Sequence, residues 1–176
     1  NYTLSKMNNV KILFSLGAGV EHITELKSYS GQPIIRLKDP FMAERMVNHV
    51  LSQILFYQLK LKSFQKAQLK KKWLVKYKEP ALNNNITIGI LGVGYLGSFV
   101  GKQLLKHGYN IIGFKNTKPN NNYPFPVFYK KSSIRKFLRQ SDVVVCVLPS
   151  TSDTRHMVNR NFLKEMKKNA LLINVG

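Results

Sequence analysis

The chain has 176 residues, room for one good core or for one domain plus a piece of another. Lys and Arg number 28 against 8 Asp and Glu, a net charge of +20 that suits anionic ligands. No helix-turn-helix, zinc-finger or RNA-binding signature accompanies that charge, so nucleic acid is not the expected partner. No run approaches the roughly 18 apolar residues of a membrane span, and one cysteine excludes a disulfide scaffold and fits a reducing cytoplasm.

Residues 10–15 (VKILFS) read as a buried strand that opens into LGAGVEH, where two glycines flank Ala18. The backbone amides of such a loop make either a plain turn or a small nest for an anion. A short helix is predicted over 23–29, a turn over 31–33 and a strand over 33–37. Asp39 and Pro40 then supply an N-cap and a first-turn proline. Ala43, Met46, Val47, Val50, Leu51, Ile54, Leu55 and Leu61 recur at three and four, which predicts one long helix with a single core face. His49 sits on it without a partner motif and is read as structural. From Lys60 the sequence turns basic, with the lysines forming a solvated face and Trp73 an anchor.

The next stretch, ITIGILGVGYLG, is a β-branched strand running into GxGxxG at 92–97 and then a helical pattern through Phe99, Val100, Leu104 and Leu105. In that context the three glycines have separate tasks. Gly92 makes the tight turn, Gly94 lets a pyrophosphate approach the backbone, and Gly97 allows close packing of helix on strand, with Tyr95 and Leu96 between them. The amides and positive end of the helix hold phosphates, so a dinucleotide site is predicted. A second strand, 109–114, ends at Lys115, Asn116, Thr117 and Lys118. An NAD site has an acid here for the ribose hydroxyls. None is present, and two ammonium groups with a hydroxyl suit a 2′-phosphate, so NADP(H) is expected over NAD(H), with a solvated basic loop as the alternative.

After an Asn- and Pro-rich loop, a short third strand is expected over 127–129 and a helix capped by Ser132 or Ser133 through Leu138. Residues 143–148 (VVVCVL) read as the fourth strand, with Cys146 an apolar core thiol. Its carboxyl end carries Pro149, Ser150, Thr151, Ser152, Asp153 and Thr154. Ligands of an open parallel sheet sit at that end, so these hydroxyls are expected beside the cofactor. A helix over 159–166 and a buried strand over 171–174 complete an α/β, doubly wound parallel sheet covered on both faces. The start at Asn1 and the stop just after a core strand suggest a piece of a longer protein.

Together the SLGAGVEH loop, the DPFMAE helix start, GVGYLG, GFKNTK, SDVVVCVLPST and NALLINVG resemble the D-isomer-specific 2-hydroxyacid dehydrogenase family, of the glyoxylate/hydroxypyruvate reductase A type. The resemblance implies two Rossmann-like domains with the active site between them, residues 1–38 ending the substrate domain and 39–176 forming most of the NAD(P)-binding domain. It implies reduction of a small 2-keto acid by a nicotinamide cofactor, in a homodimer formed through the cofactor domain. It makes Ala18 and Gly19 backbone donors to the substrate carboxylate, and places Gly92, Gly94, Tyr95 and Leu96 at the pyrophosphate. Lys115 to Lys118 fall where the family has a basic SRS-type segment, whose serine and arginine are replaced here. Leu148, Pro149, Ser150 and Thr154 would border the nicotinamide. Glu21 stands where Asp is usual, and no function is read into it.

The family's catalytic arginine would follow Gly176 directly, with its glutamate and histidine further on, and none of His22, His49, His107 or His156 takes that place. No catalytic residue and no metal ligand is therefore expected in the chain. Two other readings remain at this point: an NAD-linked, phosphoglycerate-type dehydrogenase, and a non-catalytic dinucleotide- or nucleic-acid-binding module.

Overall fold

The front of the chain builds a small parallel sheet. In the computed structural model, which describes residues 2–7, 9–17, 19–37, 39–119 and 122–176, a helical turn α1 (Tyr2–Ser5) precedes β1 (Leu13–Ser15). A second turn, α2 (Glu21–Thr24), leads to β2 (Ile34–Arg36), and Leu13 pairs with Ile34. The expected buried strand over 10–15 is shorter and largely open: Ser15 is buried, but Phe14 is 73% exposed. Two strands alone give an apolar side chain little to pack against. The helix expected over 23–29 is likewise only the turn α2, because Tyr29 instead closes a loop by donating its hydroxyl to the Gln32 carbonyl at 2.9 Å.

Asp39 caps α3 (Pro40–Gln58) as its sequence predicts, accepting from the Phe41 amide at 2.9 Å with Pro40 in the first turn. Ala43, Val47, Val50 and Ile54 form its buried face. The predicted single helix breaks, however, and resumes as α4 (Leu61–Leu69) after Lys60, which has φ 54°. The apolar spacing runs through this point without a signal. Tertiary bonds fix the end instead: Gln58 donates to the Ala81 carbonyl at 2.7 Å and accepts from the Tyr109 hydroxyl at 2.8 Å, while Lys60 Nζ reaches the Lys78 carbonyl at 2.7 Å. Burial raises the Tyr109 phenol above its ordinary pKa, so it stays a donor. Trp73 is not an anchor; it is 90% exposed.

The main sheet follows. β3 (Thr87–Leu91), α5 (Tyr95–Lys106), β4 (Asn110–Lys115), β5 (Val127–Tyr129), α6 (Ile134–Gln140), β6 (Val143–Cys146), α7 (Arg160–Glu165) and β7 (Leu171–Asn174) alternate along the chain. The strands are parallel in the order β5-β4-β3-β6-β7, so successive crossovers change direction beside β3. Ile88, Ile90, Ile111, Val143 and Val145 face α3 and α5 through Val50, Ile54, Val100 and Leu104. Leu91, Ile112, Phe114, Val144 and Cys146 face α6 and α7 through Phe137, Leu138 and Phe162. Burial on both faces is why these strands read as unbroken apolar runs. This is the doubly wound α/β fold expected from the sequence.

Smaller differences have local causes. β6 ends at Cys146 rather than 148, and the edge strand β7 buries only Ile173 fully. Neither Ser132 nor Ser133 caps α6. A turn of 3-10 helix at Lys131–Ser133 precedes it, and the Ser133 hydroxyl donates to the Tyr129 carbonyl at 2.6 Å. Asn159 does cap α7, accepting from the Asn161 and Phe162 amides. Arg135, through its hydrogen bond, and Arg139 hold the Glu165 carboxyl below the usual range and link α6 to α7. No helix among the described residues is long and apolar enough to cross a membrane.

At the amino ends of the strands, Asp142 holds β3, β6 and β7 in register. Its carboxylate accepts from the Thr87 amide at 2.9 Å and from Lys167 Nζ at 2.7 Å, while its backbone accepts from Leu171 at 3.0 Å. Asp142→Ala is expected to lower stability by about 1 kcal/mol, mostly through the lost bond to the Thr87 amide, since the exposed ion pair adds little. Urea unfolding checks this, and Asp142→Asn should recover part of the loss.

Candidate functional site

Two loops meet where the crossovers diverge. The first is the turn out of β3. Gly92 has φ 101°, a conformation open to glycine, and a β-carbon there would lie 2.9 Å from the Val147 carbonyl oxygen. Its amide donates to the Phe114 carbonyl at 2.9 Å, and the Tyr123 hydroxyl donates to the Val93 carbonyl at 3.1 Å, so the turn is held from both sides. Gly97 comes back over it so closely that a β-carbon would stand 2.0 Å from the Gly92 carbonyl oxygen.

Gly94 is different. Its φ is −88°, and beyond its immediate chain neighbours no atom comes within 4 Å of where its β-carbon would stand. It is exposed at the N-terminus of α5, a helix with no acid in its first turn. Tyr95 lies outward and Leu96 is half-buried. First-turn amides and the helix dipole therefore face open space in front of Gly94, an arrangement that favours an anion.

Lys115 ends β4, paired with Tyr129, and is half-buried, while Asn116, Thr117 and Lys118 are exposed. Neither ammonium enters an ion pair with a described acid. Both are thus available to an outside anion.

The second loop leaves β6. Thr154 closes it, accepting from the Thr151 amide at 2.9 Å and donating to the Pro149 carbonyl. Its hydroxyl thus shapes the loop. Leu148, Pro149, Ser150 and Thr154, with His156 and Gly176, line a cleft of about 380 Å³ at the carboxyl ends of β6 and β7. The glycines of the turn do not line that cleft. Cys146 borders the cleft, and burial raises its thiol pKa, against a weaker opposing effect from a backbone hydrogen bond at Leu148. It should react slowly with a thiol reagent in native protein and fast in urea, which a colorimetric thiol assay checks.

The loop after β1 stands beside the second loop. Ala18 lies outside the described residues. Gly19 is half-buried, and the buried Ser15 hydroxyl braces the loop from behind, accepting from the Gly17 amide at 3.2 Å and donating to the Gly17 carbonyl at 3.1 Å. Glu21, given no role by its sequence context, accepts from the Ser150 amide at 3.1 Å. A glutamate following a glycine loop carries no sequence signal for such a distant partner. The four histidines are all exposed, and among the described residues no group of His, Cys, Asp and Glu could hold a metal.

The family model for the D-isomer specific 2-hydroxyacid dehydrogenase NAD binding domain matches residues 51–176. The chain belongs to this family. Among its 2-hydroxyacid dehydrogenase relatives, glyoxylate/hydroxypyruvate reductase A of Serratia proteamaculans is 30% identical over 179 residues, covering 98% of this chain and 56% of that protein. A D-isomer specific 2-hydroxyacid dehydrogenase of Xanthobacter autotrophicus, solved with NADPH and MES, superposes with a TM-score of 0.88 at 31% identity, covering 96% of this chain and 53% of that one. The NADPH-dependent glyoxylate/hydroxypyruvate reductase of Sinorhizobium meliloti, solved with NADP and sulfate, gives 0.86 at 27%, covering 96% and 54%. The chain therefore spans about half the length of these dehydrogenases.

Proposed function

We propose that the chain carries the cofactor-binding part of an NADPH-dependent reductase that converts a small 2-keto acid, glyoxylate or hydroxypyruvate, to its 2-hydroxy acid. Hydride passes from NADPH to the carbonyl carbon and a proton to its oxygen. The observation that carries the reading is Gly94. Packing within the protein accounts for glycine at 92 and 97, but nothing in the chain crowds position 94. The demand for a missing side chain there comes from outside, which fits a pyrophosphate against the backbone of Gly94, Tyr95, Leu96 and Gly97.

Lys115, Asn116, Thr117 and Lys118 then take the adenosine 2′-phosphate, which favours NADP(H), with NAD(H) the weaker ligand. Leu148, Pro149, Ser150 and Thr154 flank the nicotinamide. Ala18 and Gly19 donate to the substrate carboxylate, residues 1–38 belonging to the substrate domain and 39–176 to the cofactor domain. Relatives that carry NADPH or NADP, and an open basic segment at the end of β4, support this assignment. The enzyme is a cytoplasmic homodimer in this reading. Leu69, Trp73 and Val75, which are 86%, 90% and 79% exposed, offer the apolar surface for a second copy.

The test is loss of nicotinamide absorbance when the full-length protein meets glyoxylate or hydroxypyruvate. Turnover with NADPH at a kcat/KM at least about tenfold above NADH is expected. Absence of turnover with both acids, or faster turnover with NADH, would contradict the proposal.

A further inference from the structure

We infer that Glu21 is a positioning residue that couples the loop after β1 to the loop after β6, so that cofactor bound at one orders the other. The inference rests on the function proposed above. Its basis is a single carboxylate set between two braced loops. Glu21 opens α2, and its Oε1 accepts from the Ser150 amide, 129 residues along the chain, at 3.1 Å. Its Oε2 lies 2.3 Å from where a β-carbon on Gly19 would stand. Glycine at 19 therefore leaves the room in which this carboxylate reaches Ser150, a reason for glycine separate from any ligand.

Each loop is hydrogen-bonded on its own side of the contact. Ser15 bonds to the Gly17 and Gly19 carbonyls, and Thr154 closes 149–154. A rigid acceptor meeting a rigid donor transmits order; a floppy pair would absorb it. With only 8 acids against 28 basic residues, a carboxylate free in solution would be drawn to many ammonium groups, yet this one accepts from a neutral backbone amide. Charge-assisted bonds of that kind are about twice as strong as neutral ones. When a dinucleotide fixes the loop at Ser150, Glu21 holds Gly19 in the posture that presents its amide to a carboxylate.

The test uses the chain itself, at 20.2 kDa within reach of amide NMR, as wild type, Glu21→Gln and Glu21→Ala. In cofactor-free protein the Ser150 amide proton should move upfield in Glu21→Ala and stay near its wild-type position in Glu21→Gln, which keeps an acceptor oxygen. An unmoved Ser150 resonance in Glu21→Ala overturns the contact. NADPH is then added. It should raise the order parameter of the Gly19 amide toward about 0.85, the rigid range, in wild type and Glu21→Gln but not in Glu21→Ala, while all three bind NADPH within about threefold of one another. An equal rise in Glu21→Ala, or a Glu21→Gln that behaves like Glu21→Ala, overturns the coupling. So does a wild type that binds NADPH with no change at Gly19, an outcome that leaves the cofactor assignment standing. A wild type that does not bind NADPH instead overturns the cofactor assignment, with the Ser150 shift still judging the contact.

Discussion

Gly97→Ala should cost about 3 kcal/mol of stability and abolish dinucleotide binding, whereas Gly94→Ala should cost about 1 kcal/mol or less and weaken NADPH at least about tenfold. The two differ in what the new methyl meets. At 97 it would lie 2.0 Å from the Gly92 carbonyl oxygen and 3.2 Å from an Ile90 methyl. The first of these is backbone, so no rotamer change relieves the overlap; α5 must lift from β3 and carry its N-terminus away from the turn. At 94 the backbone φ of −88° suits alanine and the space is empty, so the fold persists with a slightly poorer helix cap. Only a ligand would feel that methyl. Urea unfolding and NADPH titration on the two variants separate structure from binding, and equal stability losses would remove the argument for a ligand at Gly94.

Lys115→Ala combined with Lys118→Ala is the second large effect. Each ammonium lies at the carboxyl end of β4 without an acidic partner among the described residues, and each is exposed enough for solvent to weaken its field. A charge-assisted contact to phosphate in that setting contributes roughly 1 to 1.5 kcal/mol, so the double variant should bind NADPH about 30-fold to 150-fold more weakly at low salt. NADH, which has a hydroxyl in place of the 2′-phosphate, should change less than about threefold. Parallel losses for both cofactors would assign the lysines to the general field of a protein with charge +20.

What the sequence makes legible here is what short-range chemistry decides. The strand, GVGYLG turn and helix at 87–106 are readable because each glycine answers a local demand of strand-to-helix geometry. Asp39 with Pro40 announces a helix start for the same reason. What tertiary contacts decide is not readable. Lys60 breaks a helix whose apolar spacing continues, because Gln58 and Lys60 bond to residues 78–83. Phe14 reads as core but has only a two-stranded sheet behind it, and Trp73 reads as an anchor but is open to solvent. Of the site, the glycine turn and basic segment are visible as motifs, while Glu21 emerges only when two distant loops are brought together.

Calorimetric titration of the folded chain with NADPH and NADH, at low and moderate ionic strength, tests the central claim most directly. One-to-one binding is expected, tighter for NADPH at low salt by at least about tenfold, the gap narrowing as salt screens the 2′-phosphate contact. Equal affinity for the two cofactors, or no binding by protein that circular dichroism shows to be folded, would contradict it.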